Sequence, residues 1–231
     1  MSDFEKMFTH PVIERLRAAE HQKYDGNYFA EHYWREDLPG LTGNRGLSYD
    51  DPDHRQRFVF LYDKVIKPLN PKTLLDVGCG TGLLIDQALR DGVDAYGIDS
   101  SSIAQQSYHT RTQGRWPDRF RLGSITTLPF QSSQFELCVC LDVLEHIIVF
   151  DIFHAVTELC RVCSKDIVCS INMDNPYQFH PTILSRSSWV ALFESTGVVT
   201  YQRDRTAKLS SLISPIYQEY EVFVFSKLGT K

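Results

Sequence analysis

No run of apolar residues in this 231-residue chain is long enough to span a bilayer, which argues against a membrane-spanning helix. Basic charge is scarce as well: 24 Lys and Arg stand against 29 Asp and Glu, a net charge of −5. A protein that grips nucleic acid along its phosphates ordinarily carries the opposite surplus, so this balance argues against a nucleic-acid partner. The opening MSDFEKMFTH has no apolar stretch of the kind that marks a secretory signal. Internal repeats and low-complexity segments are missing too. The six cysteines offer no zinc site: Cys160 and Cys163 form a C-x-x-C, but no second pair stands at the required spacing, and the pattern around them is helical. Cys138, Cys140 and Cys169 lie inside apolar runs and read as small buried hydrophobes. The expectation is a cytoplasmic protein with reduced thiols.

Hydrophobic residues at 42% and charged residues at 23% supply an ordinary globular core, enough for one domain with a terminal extension. Phe4 and, within residues 5–21, Phe8, Val12, Leu16 and Ala19 recur at helical spacing and predict a first helix over 5–21. Asp51-Pro52-Asp53 opens a second helix, which runs through Phe58, Leu61, Tyr62 and Val65 and stops before Pro68. Strands and helices then alternate. Strands are predicted at Thr73–Val77, Asp94–Ile98, Phe120–Leu122, Phe135–Leu141 and Ile167–Ile171, and helices at Leu83–Arg90, Ser101–Thr112, Phe150–Cys163 and Ser187–Thr196. Such alternation implies a parallel sheet covered on both faces. Val198–Arg203 and Tyr220–Ser226 have no helical pattern of comparable length between them and are predicted to form an antiparallel hairpin at the sheet edge. The fold class is therefore α/β: a doubly wound, Rossmann-like sheet of seven strands, mostly parallel, with helices on both faces.

The chemistry concentrates after the first strand. In LLDVGCGTG, Leu74 to Gly82, an apolar run stops at glycines 78, 80 and 82 and a helix follows. Without a Cβ the backbone there can be touched by a ligand, and the free N–H groups of the helix start favour an anionic group. Twenty-three positions beyond Asp76 the second strand ends at Asp99, where a carboxylate can accept from both hydroxyls of a ribose. Together they fit a nucleoside carrying an anionic group. The spacing is G-x-G-x-G, with Leu at position 83, which departs from the nicotinamide-dinucleotide pattern.

LLDVGCGTG, followed by GIDSS, GSITTLPF and FELCVCLDVLEHI, resembles in order and spacing the motifs of class I S-adenosylmethionine-dependent methyltransferases, over roughly Lys72 to Ser226. The resemblance is to the small-molecule, ubiquinone- and secondary-metabolite-like branch. It implies S-adenosyl-L-methionine as cofactor, leaving as S-adenosyl-L-homocysteine, held by Asp76, Gly78, Cys79, Gly80, Asp99, Ser100, Ser124, Ile125 and Leu141. Many relatives have Asp where this chain has Ser124, so the contact to the adenine amino group departs from the pattern. It also implies a lid and acceptor pocket built from an N-terminal segment, residues 1–70, and from NMDNPYQFHPTILSRSSW, set on a core of residues 71–231. Tyr28, Tyr33 and His180 are the candidate substrate-binding residues.

Methyl transfer from a sulfonium is an in-line displacement, so positioning dominates, and a hydroxyl or protonated amine acceptor also needs a base. LDVLEHI supplies the candidate catalytic residues Asp142, Glu145 and His146, with His146 as general base because imidazole is matched to neutral pH. No metal is assigned in this reading. An alternative uses the same letters: Glu-x-x-Glu-His after this strand resembles a divalent-metal cluster of ubiquinone-biosynthesis O-methyltransferases and small-RNA 2′-O-methyltransferases, with Asp142 in the first position here and His180 able to complete it. The chain is thus expected to methylate a hydroxyl or amine of a small metabolite, in secondary metabolism. The alternatives are a metal-dependent RNA 2′-O-methyltransferase or a non-catalytic S-adenosylmethionine-binding protein. Monomer and homodimer both remain open. Arg111, Arg115, Arg119 and Arg121, interleaved with Trp116 and Phe120, read as a solvated turn.

Overall fold

The computed structural model describes residues 11–23, 52–173, 180–213 and 220–229. Helix α1 spans Pro11–Lys23 and α2 spans Pro52–Leu61, prolonged by a π-helical turn at Tyr62–Ile66 and a 3₁₀ turn at Lys67–Leu69. Then follow β1 (Thr73–Val77), α3 (Leu83–Arg90), β2 (Asp94–Asp99), α4 (Ser102–Thr112), β3 (Phe120–Leu122), β4 (Phe135–Leu141), α5 (Ile152–Val162) and β5 (Cys163–Asn172). The chain closes with α6 (Arg186–Glu194), β6 (Val199–Tyr201), α7 (Arg203–Ile213) and β7 (Tyr220–Lys227). Among these helices none is long and apolar enough to cross a membrane.

The seven strands form one sheet in the order β3-β2-β1-β4-β5-β7-β6. The first five are mutually parallel, and β7 runs antiparallel to both β5 and β6. The doubly wound architecture and its antiparallel closing strands are as expected from the alternation of patterns. A sheet covered on both faces must be apolar on both, and β4 shows how this works. Cys138 and Cys140 face a core shared with α5 and α6, whose Trp189 and Phe193 are fully buried. Leu137 and Val139 face the opposite core, shared with α2, α3, α4 and α7. All six cysteines are buried free thiols, so they fill volume as the apolar runs imply.

Two elements differ from the sequence reading. Cys163 opens β5 instead of closing α5, so this strand begins four residues before the predicted Ile167. Between β6 and β7 lies the eleven-residue helix α7, where no helix was expected. Its start, Arg203-Asp204-Arg205, is polar, and it docks through specific hydrogen bonds. Arg205 forks onto both carboxylate oxygens of Asp166 at 2.6 and 2.9 Å, and the buried Thr206 hydroxyl accepts from the Val224 N–H at 3.0 Å. An apolar periodicity cannot reveal a helix held this way.

Candidate functional site

In an open α/β sheet, ligands bind beyond the carboxyl ends of the strands where the strand order reverses. Here that point lies between β1 and β4, at the loop Gly78–Gly82. The N–H groups of Gly78 and Cys79 both donate to the Ile98 carbonyl, at 2.8 and 3.1 Å, which ties the loop to the end of β2. Gly78 has φ +71°, and a Cβ there would sit 2.2 Å from Val143 Cγ2, so a side chain is excluded both by conformation and by space. Cys79 turns its thiol inward: Sγ lies 2.7 Å from where a Cβ on Gly97 would be, which leaves its main chain to the loop. Burial pushes this thiol well above its ordinary pKa.

Asp99 closes the other side. Its Oδ2 accepts from the Gly80 N–H and its Oδ1 from the Ser101 N–H, each at 2.9 Å. Burial raises its pKa, while these N–H groups and that of Ser100 oppose the rise. Two main-chain donors occupy one lone pair on each oxygen, and each carboxylate oxygen can accept a second bond. Asp76, at the end of β1, is 3% exposed, and burial followed by repulsion from Asp99 lifts its pKa from 3.8 to about 7. Two acids border a loop whose own residues carry no basic side chain, and the one arginine that reaches it, Arg111, is paired with Asp86, so the cleft suits a cation. The glycine cradle and this pair of acids therefore fit an adenosyl group with a ribose diol and a positively charged tail.

Farther along, Ser124 is exposed and its hydroxyl accepts from the Thr126 N–H at 3.2 Å, forming a local turn, while Ile125 is buried in the core with Ile98 and Leu128. Ser100 is exposed beside Asp99.

Beyond β4 the main chain bends sharply. Asp142 adopts φ +59°, a conformation that non-glycine residues seldom take, while its N–H donates to the Ser170 carbonyl at 2.9 Å. The next turn brings His146 Nε2 to 3.8 Å from Asp142 Oδ1. His180, from the segment after β5, meets the His146 ring edge-on with centroids 4.8 Å apart. Asp142, His146 and His180 are thereby assembled, with one potential ligand atom of each within 4.8 Å of the others.

Glu145 lies beneath that group, next to Asp142. It is fully buried; Oε1 accepts from the Asn172 N–H, and Oε2 has no hydrogen-bond partner among the described residues. Burial, and then the charge of Asp142, raise its pKa well above the usual carboxylate range. The Glu145 carboxyl, bonded to the end of β5, orients the turn that carries His146. Thr182, which the sequence did not single out, completes the brace: its N–H donates to the Glu145 carbonyl at 3.2 Å and its hydroxyl to the Ile147 carbonyl at 2.6 Å. Tyr28 and Tyr33 lie outside the described residues.

An apolar pocket opens beside Leu141, lined by Leu61, Val65, Ile66, Leu209 and Val222. Two of these residues come from the π-helical turn and one from α7. Helix α1 is held near the same edge, with Arg17 and His21 at 2.6 and 2.7 Å from the carboxylate of Asp151, the residue that precedes α5.

Residues 75–171 match the family model described as a methyltransferase domain. Over 85 residues the chain is 33% identical to a ubiquinone biosynthesis O-methyltransferase of Paracidovorax citrulli, a stretch that is 36% of each chain. The match thus spans about a third of that relative's length. Among solved structures, a protein of Pyrococcus horikoshii superposes with TM-score 0.61 at 15% identity, covering 77% of this chain and 92% of that one. Magnesium protoporphyrin IX methyltransferase from Synechocystis, crystallised with SAH, superposes with TM-score 0.59 at 13% identity, covering 92% and 99%.

Proposed function

We propose that this chain, whose residues 75–171 match a methyltransferase domain, is a class I S-adenosylmethionine-dependent enzyme that transfers a methyl group to a hydroxyl or amine of a small metabolite. The observation that carries this reading is the convergence of the Gly78–Gly82 cradle, Asp99 and the Asp142–His146–His180 cluster on one edge of the sheet.

Gly78, Cys79 and Gly80 offer main chain to the cofactor, Asp99 takes its ribose hydroxyls, and Asp76 its cationic amine. When bound, S-adenosylmethionine supplies a methyl carbon on a positively charged sulfur, and that sulfur leaves with the bonding pair as a neutral thioether. The His146 imidazole takes the proton of the acceptor hydroxyl as its oxygen bonds to carbon, and Asp142 steadies the imidazolium that results. The N-terminal segment, residues 1–70, serves as a lid that excludes water. The ubiquinone biosynthesis O-methyltransferases that the chain resembles accord with a small-molecule acceptor. Of the arginines around β3, Arg119 pairs with Asp94 and lies 4.4 Å from the Tyr96 ring centre, Arg115 lies over the Trp116 ring, and Arg121 is exposed.

The cluster at Asp142 favours a second reading, in which Asp142, His146 and His180 hold a divalent ion that acidifies the acceptor hydroxyl. One experiment tests both. Purified protein is incubated with S-adenosylmethionine and a panel of phenols, aliphatic alcohols and amines, and S-adenosylhomocysteine release is measured before and after treatment with chelator. Release that survives chelation supports His146 as base, and release abolished by chelator and restored by Mg²⁺ supports the ion. Failure to bind S-adenosylmethionine removes both.

Asp76 gives the binding a pH signature. Its pKa is raised on folding, from 3.8 to about 7, so the native state resists its ionisation while the unfolded chain does not. Its contribution to stability therefore declines as pH rises through that window. A cationic ligand beside Asp76 reverses the penalty, so affinity should increase towards pH 7 with release of a proton. Calorimetry in buffers of different ionisation enthalpy will read that proton at pH 6. The Asp76→Asn variant should show neither the release nor the Asp76 part of the decline in apo stability.

A further inference from the structure

We infer that Arg111, on α4, is a positioning residue that fixes the cofactor loop in its binding shape. The inference rests on the cofactor reading above. Arg111 lies in the last turn of α4, at the opposite end from Asp99, yet its guanidinium reaches the loop. Nη2 donates to the Thr81 carbonyl at 2.7 Å and Nη1 to Asp86 Oδ2 at 2.6 Å. Asp86 lies in the first turn of α3, the helix that the loop opens, and it also binds Arg90 at 3.1 Å. One residue of α4 therefore ties down both the loop and the helix behind it.

The peptide between Thr81 and Gly82 is held at both of its polar atoms. Its oxygen accepts from Arg111, and its N–H donates to the Cys79 carbonyl at 2.8 Å. On the same side, the buried Tyr108 ring of α4 would lie 2.5 Å from a Cβ on Gly82. At the other end of the loop, Asp99 takes the Gly80 N–H. The segment 99–111 thus clamps the loop at Gly80 from one end and at Thr81–Gly82 from the other. With these bonds made, the loop has little freedom to turn its N–H groups away from the cleft.

The clamp is a poor device for stability alone. The side chain of Arg111 is 14% exposed and that of Asp86 11%, and a buried ion pair repays little of its desolvation. Arg111 Nε and the Thr81 hydroxyl are both buried without a hydrogen-bond partner among the described residues. Buried polar atoms left unmatched cost free energy, so this arrangement is better explained by the loop geometry it enforces than by the stability it adds. A preformed loop spares the cofactor the cost of ordering it.

The test uses Arg111→Met, which keeps the stem, and Arg111→Lys, which keeps the charge but cannot fork to a carbonyl and a carboxylate together. Titration with S-adenosylhomocysteine should show a dissociation constant raised about tenfold or more in both variants, because preorganisation is lost. In the ligand-free variants the Gly80 and Gly82 amides should exchange with deuterium faster than in wild type, while amides in β4 and β5 keep their protection. Affinity within twofold of wild type, roughly the scatter of such measurements, in a variant with wild-type far-UV circular dichroism would overturn the inference. Should Arg111→Met fail to fold, Arg111→Lys alone decides. If the wild type does not bind S-adenosylhomocysteine, the cofactor reading falls, and unchanged Gly80 and Gly82 exchange would separately sink the clamp.

Discussion

Replacing Asp99 with Ala should raise the dissociation constant for S-adenosylmethionine at least about a hundredfold, since each hydrogen bond to a charged group is worth about 1.5–3 kcal/mol and the ribose diol loses two. The carboxylate works on both sides of the cleft wall. It accepts the Gly80 and Ser101 N–H groups, which hold the loop, and it is the acceptor offered to the ligand. The Ala variant removes both functions, whereas Asp99→Asn keeps one oxygen acceptor and should fall between. Unfolding is not the expected cause, because burial raises the Asp99 pKa and so costs the native state something whenever this group is ionised. Titration calorimetry with S-adenosylhomocysteine reads the affinity, and thermal melting of the apo variants reads the stability. A change of less than threefold, about 0.6 kcal/mol, in a variant that melts like wild type would mean that the sugar is held elsewhere.

Much of this was legible because β1, β2 and their turns obey local rules. The glycines between Val77 and Leu83 leave few backbone solutions, and Asp99 falls where a parallel pair of strands must end side by side, as the pairing of Val77 with Ile98 shows. What stayed hidden depends on contacts across the chain. The identity of His180 was readable, but its meeting with His146 depends on Thr182 bonding to Glu145 and Ile147, thirty-seven and thirty-five positions away. Glu145 was read as a catalytic partner from its place beside His146. It is fully buried and accepts from the Asn172 N–H, and no one-dimensional pattern distinguishes a carboxylate that faces a cleft from one that is tucked under it. Arg111 was read as part of a solvated turn, since four arginines near β3 look like an exposed face until Asp86, twenty-five positions earlier, is found beneath one of them. The α7 helix escaped for a related reason. Its docking is polar, through Arg205 and Thr206, and the apolar residues it lends to the pocket, Leu209 and Ile213, are too few to set a period.

His146→Gln should bind S-adenosylhomocysteine as tightly as wild type yet lose about 10²- to 10⁴-fold in kcat, the range expected for removal of a general base. The split is sharp because the two halves of the site come from different strands. The cofactor cradle is built on β1 and β2, while His146 sits in the turn after β4, tied to Asn172 at the end of β5 through Glu145 and to the segment after β5 through Thr182. Glutamine keeps a polar side chain of similar reach, so the brace should survive. Asp142→Asn should cost less, about tenfold, because its Oδ1 lies 3.8 Å from Nε2 and acts through charge at that distance more than through a formed hydrogen bond. If His146 instead serves as an ion ligand, the Gln variant will lose bound divalent metal along with turnover, and Asp142→Asn and His180→Ala will lose both together. A base leaves metal content untouched in all three. Turnover that persists in His146→Gln at wild-type rate would point to an acceptor already nucleophilic, such as a neutral amine, for which the cleft supplies alignment and dryness alone.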